Sequence, residues 1–576
     1  MNILNNQKKS SPTIWANLRV LRRHPQFRPL RTAFISWIIF ALVVSTTGIY
    51  SFIDAKKTQA SDNFSIKTGY YYGNGTSLAV TGVGFTPEVV IIKAETAAGS
   101  MIWKSSAMPS SVTAYLGVAT ADNTENEITL NSDGFTVSAA LEVNTVNTRY
   151  IYIAYAGSDC TSGGVMCVGS YTGDGVATKV ITTGFQPDLV ISKRATAVAG
   201  TFRTSSMSTN HAGIFSATAN DTTGVYFTTL NSDGYTVGLT NNANASTYYY
   251  LAFKNLANKL FVGQFTGDAV DSKNITGVGF EPDFVFVKQN SAIVPAFNTT
   301  EMWGDLSAVS TTAVSAVNHI QSLDADGFQV GSSTSVNALG VVSNYFAFGG
   351  SDDPTPSGSF TMQRGCYVGT GVTQAIDTSF APDLIFIKGN TTEYGVWSTR
   401  ADTNTTHYFS LSAVGFSGGI VSMGTTDFTV GTSTTVNTNG ITYEYIAFGN
   451  ATTPQRPNGA ADLVIGNYSG NGLSPRSIDH LGVAPNMVTI KRPVGVAALS
   501  VWSSSAMAAN TSSLFSATAN TVDGTIVRTL DSGGFTVGTG ATVNTVNIAY
   551  SFFAFKEGSA FDVGAYAGNN TVDTEI

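Results

Sequence analysis

The chain holds 576 residues, too many for a single hydrophobic core, so several domains are expected. Only 12% of the residues are charged, against roughly 25% in ordinary globular proteins, and glycine occurs 58 times. This composition excludes long helices with charged surfaces and favours short strands joined by tight turns, because Gly and Asn accept turn dihedrals while Thr, Val, Tyr and Phe fit a pleated sheet.

Charge is divided unevenly along the chain. Residues 1–57 contain nine of the 30 basic residues and one of the 38 acidic residues, which leaves 21 basic and 37 acidic residues and a net charge of −16 for the remainder. Such an acidic chain repels phosphates, and no basic stripe follows Lys57. We therefore expect no nucleic-acid partner.

An uncharged segment lies near the N-terminus. Residues 33–53, AFISWIIFALVVSTTGIYSFI, are long enough to cross a bilayer as a helix, and five arginines precede them. The positive-inside rule predicts a basic cytoplasmic tail at 1–32, a transmembrane helix at 33–53 that attaches the protein to the membrane, a linker at 54–65 and exported repeats. The alternative is a long signal segment cleaved near Ala60, which would give a secreted protein. We predict a single-pass protein of the cell membrane.

A repeat of about 100 residues is the strongest signal in the sequence. Its phrases are Gly-x-Tyr-x-Gly, a Gly-Phe-x-Pro-Asp turn, an apolar run ending in lysine, an aromatic residue, Ser-Asp-Gly-Phe, Val-Asn and a closing Tyr-x-Ala-Phe strand. The five predicted repeats, and the start of a truncated sixth, are residues 66–157, 166–255, 259–349, 360–450, 461–557 and 561–576. Because each repeat is long enough to own a core, we expect independent domains on a string.

The phrases indicate strands and hairpins. Asp-Gly before an aromatic strand is a hairpin signal, and proline before an apolar run marks a strand start. The closing phrase YIYIAY places bulky side chains on both faces, which suits a strand covered on both sides or one that faces a wet groove. We predict an all-β chain, a tandem array of five β-sandwich domains of jelly-roll or lectin-like type, after one N-terminal transmembrane helix.

Taken together over residues 66–556, these phrases resemble an uncharacterised repeat domain found in phage tail-fibre proteins and in surface proteins of environmental bacteria. The resemblance implies a β-sandwich of lectin-like shape and a surface or adhesive role. It carries no catalytic residues. The predicted N-terminal anchor departs from the tail-fibre pattern and favours a cellular surface protein.

Residues with catalytic or metal-binding chemistry are scattered. The histidines fall at different places in their repeats, at His211, His319, His407 and His480. A catalytic base shared by the repeats is therefore excluded, and we predict no catalytic, cofactor or metal site. The cysteines also exclude a four-cysteine metal site; Cys160 and Cys167 are either a disulfide or two unrelated small residues, and Cys366 has no nearby partner.

Two charged positions recur in the repeats. An acid follows the turn proline at Asp188, Asp283 and Asp383, where capping of a turn explains it more simply than a cation site, which needs more oxygen ligands. A lysine ends each apolar run, at Lys93, Lys193, Lys288, Lys388 and Lys491. Protection of sheet edges is a sufficient reason for these lysines.

Three tryptophans are the candidates for ligand binding. Trp103, Trp397 and Trp502 follow the turn proline by fifteen to seventeen residues, and an aromatic ring can stack on the apolar face of a sugar. Phe202 and Phe297 take the same place in the other two repeats and favour packing in a core instead. Sugar binding at the three tryptophans is the minor hypothesis.

The leading hypothesis is a non-catalytic, membrane-anchored, surface-displayed structural or adhesive repeat protein, with glycans or surface proteins as possible partners. Multiple weak copies on one chain gain avidity, which is a physical reason to duplicate a binding module. The alternative is a carbohydrate-binding module or a phage tail-fibre-like receptor-binding protein. A third hypothesis is an enzyme whose site lies in the divergent third repeat, near Trp303.

Overall fold

Strands dominate the part of the chain that the structure describes. A computed structural model describes residues 64–350, 360–451 and 461–565, except positions 96, 147, 303, 304, 403, 494, 496, 517, 518, 559 and 560. Among these residues the only helices are single turns of four residues, α1 Leu141–Asn144, α2 Thr434–Asn437 and a 3-10 turn at Leu239–Asn242. The prediction of an all-β chain is confirmed for these residues.

No helix within the described ranges is long and apolar enough to cross a membrane. The predicted tail 1–32 and the predicted transmembrane segment 33–53 lie outside the described residues, as do residues 54–63 of the linker. The predictions of an N-terminal transmembrane helix and of a single-pass membrane location are therefore corrected. What the structure gives is a series of repeated sheets.

Each repeat contains one large and one small antiparallel sheet. Repeat 1 contains β1 Ser65–Tyr72, β2 Leu78–Thr81, β3 Val89–Ala94, β4 Ile102–Ser105, β5 Ala114–Tyr115, β6 Ile128–Asn131, β7 Gly134–Val137 and β8 Arg149–Ala156. Repeat 2 contains β9 Met166–Thr172, β10 Lys179–Thr182, β11 Leu189–Arg194, β12 Thr201–Thr204, β13 Gly213–Ile214, β14 Phe227–Asn231, β15 Gly234–Val237 and β16 Thr247–Phe253. Repeat 3 contains β17 Leu260–Thr266, β18 Lys273–Thr276, β19 Phe284–Gln289, β20 Ala296–Thr299, β21 Leu306–Val309, β22 Ala316–Val317, β23 Ile320–Asp324, β24 Gly327–Val330 and β25 Val342–Phe348.

The last two repeats follow the same plan. Repeat 4 contains β26 Thr361–Val368, β27 Gln374–Asp377, β28 Pro382–Gly389, β29 Val396–Thr399, β30 His407–Tyr408, β31 Ile420–Met423, β32 Asp427–Val430 and β33 Thr442–Gly449. Repeat 5 contains β34 Leu463–Ser469, β35 Arg476–Ile478, β36 Met487–Lys491, β37 Val501–Ser504, β38 Ser513–Leu514, β39 Val527–Asp531, β40 Gly534–Val537 and β41 Ala549–Phe555. In repeat 1 the strand orders are β1-β8-β3-β4-β5 and β2-β7-β6.

The two sheets of a repeat enclose an apolar core. In repeat 1 this core joins Val90 and Ile92 of β3, Phe135 of β7, and Tyr150 and Tyr152 of β8, all buried. These residues alternate along their strands, as the two-residue period of a strand requires. A β-sandwich is thus confirmed for the repeat, while the finer jelly-roll and lectin-like descriptions stay predictions.

The first glycine of the opening phrase makes room for the closing strand. Gly69 of β1 pairs with Tyr152 of β8, and the ring of Tyr152 occupies the space where a side chain at position 69 would lie. Tyr250 lies over Gly169 in the same way. The opening and closing phrases therefore recur together because their residues pack against each other.

A buried asparagine from the Val-Asn phrase holds the turn beside the closing strand in four of the five repeats. In repeat 4, Asn437 Oδ1 accepts a hydrogen bond from the Thr370 amide at 2.8 Å, and its Nδ2 donates to the carbonyls of Val372 and Gly431 at 2.6 Å each. Three backbone groups depend on this one side chain. Asn144, Asn337 and Asn544 make the matching bonds in their repeats.

Asn437→Ala is expected to lower the free energy of unfolding of repeat 4 by roughly 2–3 kcal/mol, since buried backbone groups lose their partners. Urea denaturation checks this value. Asn439→Ala is the matched control, because Asn439 is exposed two residues away, and its cost should stay below about 0.5 kcal/mol. Equal effects of the two changes would contradict a structural role for Asn437.

Candidate functional site

The recurring aromatic residues lie between repeats. Trp103, Phe202 and Trp397 each have 0% exposed surface, and Phe297 has 1%. Phe202 contacts Phe286 of repeat 3 edge-on at 5.5 Å. A ring without accessible surface offers no face to a sugar, so no ligand role is proposed for Trp103 or Trp397.

Repeats 1, 2 and 3 share one apolar core. The second face of each closing strand contributes to it, as with Ile151, Ile153 and Tyr155 of β8. The same core continues through repeats 2 and 3. The expectation of independent domains on a string is therefore wrong here, because the large sheet of each repeat is apolar on both faces.

Equivalent aromatic residues meet at the centre of this core. Tyr155, Phe253 and Phe348 end the closing strands of repeats 1, 2 and 3, and each ring contacts the other two at centroid distances of 5.0–5.4 Å. The three repeats therefore surround one axis. We call this arrangement, repeats 1–3, the closed ring.

Backbone hydrogen bonds also follow the closed ring. The Gly200 amide of repeat 2 donates to the Leu116 carbonyl of repeat 1 at 2.8 Å. The Met101 amide of repeat 1 donates to the Ser310 carbonyl of repeat 3 at 2.9 Å. At the third junction the matching position is Pro295, which has no amide hydrogen, and the Ser310 hydroxyl donates to the Phe215 carbonyl instead.

Four of the five recurring lysines, Lys93, Lys193, Lys288 and Lys491, are buried inside sheets, which contradicts their interpretation as edge protection, whereas Lys388 is exposed. β3 lies between β8 and β4, and Lys93 at its end is 1% exposed. Lys93 Nζ donates to the Ala313 carbonyl of repeat 3 at 3.1 Å, and Lys193 Nζ pairs with the Asp122 carboxylate of repeat 1 at 3.2 Å. A lysine at the end of an apolar run was the available signal, because an internal strand that a neighbouring repeat covers buries even its polar end.

Burial lowers the pKa of Lys93, Lys288 and Lys491 from 10.5 to about 8. Between about pH 8 and pH 10 the unfolded chain, with ordinary lysines, binds more protons than the folded chain. The free energy of unfolding should therefore rise with pH across this window. Above about pH 10 buried tyrosines, whose pKa burial raises, oppose the trend.

Lys491→Met is expected to reduce this rise, because it removes one of the buried ammonium groups. Urea denaturation of both proteins at intervals between pH 7.5 and pH 10 measures the two slopes. Identical slopes in the wild type and the variant would show that the Lys491 ammonium is as well solvated in the folded chain as in the unfolded chain.

A buried arginine joins repeats 1 and 3. Arg149 of β8 forms an ion pair with Glu95, and it also donates to the Glu301 carbonyl of repeat 3 at 2.5 Å. Its guanidinium lies over the Tyr70 ring, 4.3 Å from the centroid. Sequence reasoning missed Arg149 and Glu95, although a charged residue directly before the apolar phrase YIYIAY is unusual.

Repeats 3 and 5 also touch through acidic side chains. Buried Asp305 of repeat 3 accepts a hydrogen bond from the Ser469 amide of repeat 5 at 3.0 Å, and burial raises its pKa to about 6. Asp271 of repeat 3 forms an ion pair with Arg476 of repeat 5. Repeat 5 is thus fixed to the closed ring by the side chains of Asp305, Asp271 and Arg476, which belong to no repeated phrase.

The recurring acids after the turn proline accept hydrogen bonds from backbone amides just after the closing strands. Asp188 accepts hydrogen bonds from the Ser205 hydroxyl and from the Asn255 amide, both at 2.7 Å. The Asp383 carboxylate accepts from the Ala451 amide at 2.9 Å. Within the described ranges no group of three His, Cys, Asp or Glu residues could hold a metal ion.

The cysteines fall into two classes. Cys160 and Cys167 form a disulfide at the junction of repeats 1 and 2, which settles the alternative that the sequence left open. Cys366 of β26 is a free, exposed thiol. Trp303, near which a catalytic site was considered, lies outside the described residues.

Repeats 4 and 5 form a second, smaller apolar core. Trp397 of repeat 4 packs edge-on against Phe553 of repeat 5 at 5.0 Å, and Phe448 contacts Phe555 at 5.4 Å. Beside this core lies an open concavity of about 700 Å³. Trp502 and Phe515 line it and are only half-buried, so Trp502 is the one predicted ligand residue with an accessible ring in the described chain.

Comparison with known families agrees with the repeat structure. No curated protein matches the chain. A family model described as "Domain of unknown function (DUF7483)" matches residues 59–170, 162–263 and 355–576, which together exceed half of the chain. The predicted resemblance to an uncharacterised repeat domain is confirmed in this general form. The chain belongs to the DUF7483 family of domains of unknown function.

Proposed function

We propose that the chain is a non-catalytic structural or adhesive repeat protein. One observation supports this proposal: positions that recur in the repeats supply contacts between repeats, although Lys288 and Lys388 bond to carbonyls of their own repeats. The aromatic residue at Phe202, the lysine at Lys193 and the closing ring of Phe253 all lie against a neighbouring repeat. A motif that is maintained for packing has a structural role.

A carbohydrate-binding or tail-fibre-like receptor-binding protein is the second candidate. Trp502 favours it, because its half-exposed ring lies on a concavity together with Met487 and Phe515. An aromatic ring on a concave surface suits the apolar face of a pyranose. In the described repeats the matching rings are buried, so this candidate would have a single site.

A glycan array probed with the full chain separates these candidates. A structural protein should give no saturable binding. A sugar-binding protein should give saturable binding that Trp502→Ala abolishes and Trp502→Phe weakens less, since Phe occupies this position in repeats 2 and 3. Release of labelled sugar from the array with turnover would overturn the non-catalytic proposal.

A further inference from the structure

We propose that repeats 4 and 5 are two thirds of a second ring and that their uncovered surface binds a third repeat of the same fold, a sixth repeat that begins at Phe561. We call this surface the open face. It consists of Met362, Phe386 and Ile446 of repeat 4 with Trp502 and Phe515 of repeat 5. The inference rests on the proposed function in one respect: both assume that the recurring residues serve contact between repeats.

The contact between repeats 4 and 5 uses the same atoms as the contacts of the closed ring. The Ser500 amide donates to the Phe409 carbonyl at 3.3 Å, as the Gly200 amide donates to Leu116. Lys491 Nζ donates to the Leu411 carbonyl of repeat 4 at 3.3 Å, as Lys193 donates to a carbonyl of repeat 1. Repeats 4 and 5 are therefore placed as two successive members of a ring.

On repeat 4 the open face is the outer face of the large sheet. Ile446 is 38% exposed, whereas at most 2% of the matching residue is exposed in the other four repeats: Ile153, Leu251, Phe346 and Phe553. Met362 is 59% exposed, while its counterparts Ile66, Met166, Leu260 and Leu463 are at most 4% exposed. In the closed ring these positions are covered by the preceding repeat, through the strand pair that carries its recurring aromatic residue. Phe202 of repeat 2, for example, covers Phe346 of repeat 3.

On repeat 5 the open face is the opposite one, the strand pair β37 and β38. Trp502 and Phe515 are half-buried there. Their counterparts in repeat 2, Phe202 and Phe215, are fully buried because both pack against Phe286 of repeat 3. A third repeat would therefore cover both surfaces. Its strand pair would lie on the sheet of repeat 4, and its sheet would lie on the strand pair of repeat 5.

The chain direction identifies the occupant. After the closing strand of repeat 5, residues 556–560 lead to Phe561, whose ring stacks on Phe555 at 4.6 Å. In the closed ring, residues 254–259 lead from Phe253 to Leu260, the first residue of strand β17 in repeat 3. Residues 561–570 read FDVGAYAGNN, which matches the opening phrase of a repeat. Phe561 therefore corresponds to Leu260, because each precedes the first glycine of an opening phrase by three residues.

Cysteine labelling tests the proposal in the full chain. The reporter is Ile446→Cys in a Cys366→Ser background, and maleimide labelling is followed by mass spectrometry. A second version carries a copy of residues 260–350, joined after residue 560 so that Leu260 takes the place of Phe561. We expect labelling to be at least about tenfold slower in the extended chain, because thiol reactivity depends on exposure.

The control reporter is Val180→Cys in repeat 2, which is 61% exposed and should label equally fast in both versions. Fast labelling of Cys at 446 in the extended chain overturns the proposal, whether or not the added copy resists protease, since a repeat that fits the open face should fold on it. A copy of residues 166–255 in place of 260–350 repeats the test.

Slow labelling of the unextended chain, with a mass in solution twice that of one chain, would also overturn the proposal, because a second copy would then cover the open face. No glycan takes part in this measurement. A negative glycan array therefore leaves the labelling result unchanged, and fast labelling leaves the array result unchanged.

Discussion

Phe253→Ala is expected to lower the free energy of unfolding of the closed ring by about 3–5 kcal/mol, the cost of deleting a large buried aromatic ring without collapse of the site. The ring of Phe253 contacts Tyr155 and Phe348, one residue from each neighbouring repeat. The cavity would therefore open in all three repeats. Guanidinium denaturation followed by tryptophan fluorescence, to which Trp103 in the same apolar core contributes, measures the loss.

Val180→Ala is the control for Phe253→Ala, because Val180 is exposed in the same repeat, and its effect should stay within about 0.5 kcal/mol. Hydrogen exchange of repeats 1 and 3 shows whether the destabilisation spreads. If only repeat 2 exchanged faster, the three repeats would be energetically independent despite their contacts. That result would argue against the closed ring as a cooperative unit.

Glu95→Ala is expected to destabilise the closed ring by about 3–5 kcal/mol, since removal of one partner leaves a buried charge without its counter-ion. Arg149 cannot escape by losing its proton, because a guanidinium stays charged in proteins. Burial raises the pKa of the Glu95 carboxyl and the Arg149 guanidinium lowers it, so the pair is held together against a cost of desolvation. Thermal and urea denaturation measure the change.

Two further variants sharpen this experiment. Lys273→Met removes a cation from a partly exposed pair with Asp268 and should cost less than about 1 kcal/mol. The double variant Glu95→Leu with Arg149→Met should recover much of the stability, because apolar replacement of a buried pair is often neutral or better. If Glu95→Ala were as stable as the wild type, the remaining acceptors around Arg149 would be enough to stabilise its buried charge.

The sequence predicted the content of each repeat well. Asp-Gly before Phe135 and proline before β3 locate a hairpin and a strand start because both depend only on local backbone dihedrals. The phrase YIYIAY even carried the information that β8 is covered on both sides. Its consecutive residues Tyr150 and Ile151 point to opposite faces and belong to two different cores.

The relations between repeats were not predictable in the same way. Whether the second face of β8 meets a wet groove or another repeat depends on residues a hundred or more positions away, such as Phe253. The three tryptophans look alike in the sequence, yet Trp502 differs from Trp103 in exposure only because of what packs beside it. Position in a ring is a property of the assembly of repeats, and no single repeat encodes it.

The junction of repeats 2 and 3, where Pro295 lacks a donor and Ser310 supplies one, has a consequence for how such arrays evolve. A backbone donor lost on one edge of repeat 3 is replaced by a hydroxyl that reaches the Phe215 carbonyl of repeat 2. The Ser310 hydroxyl thus supplies the donor that Pro295 lacks. Both residues lie in repeat 3, and the acceptor is a backbone carbonyl of the kind that Leu116, Ser310 and Phe409 also offer to their neighbours. A duplicated copy of repeat 3 would therefore carry its own compensation to a new place in an array.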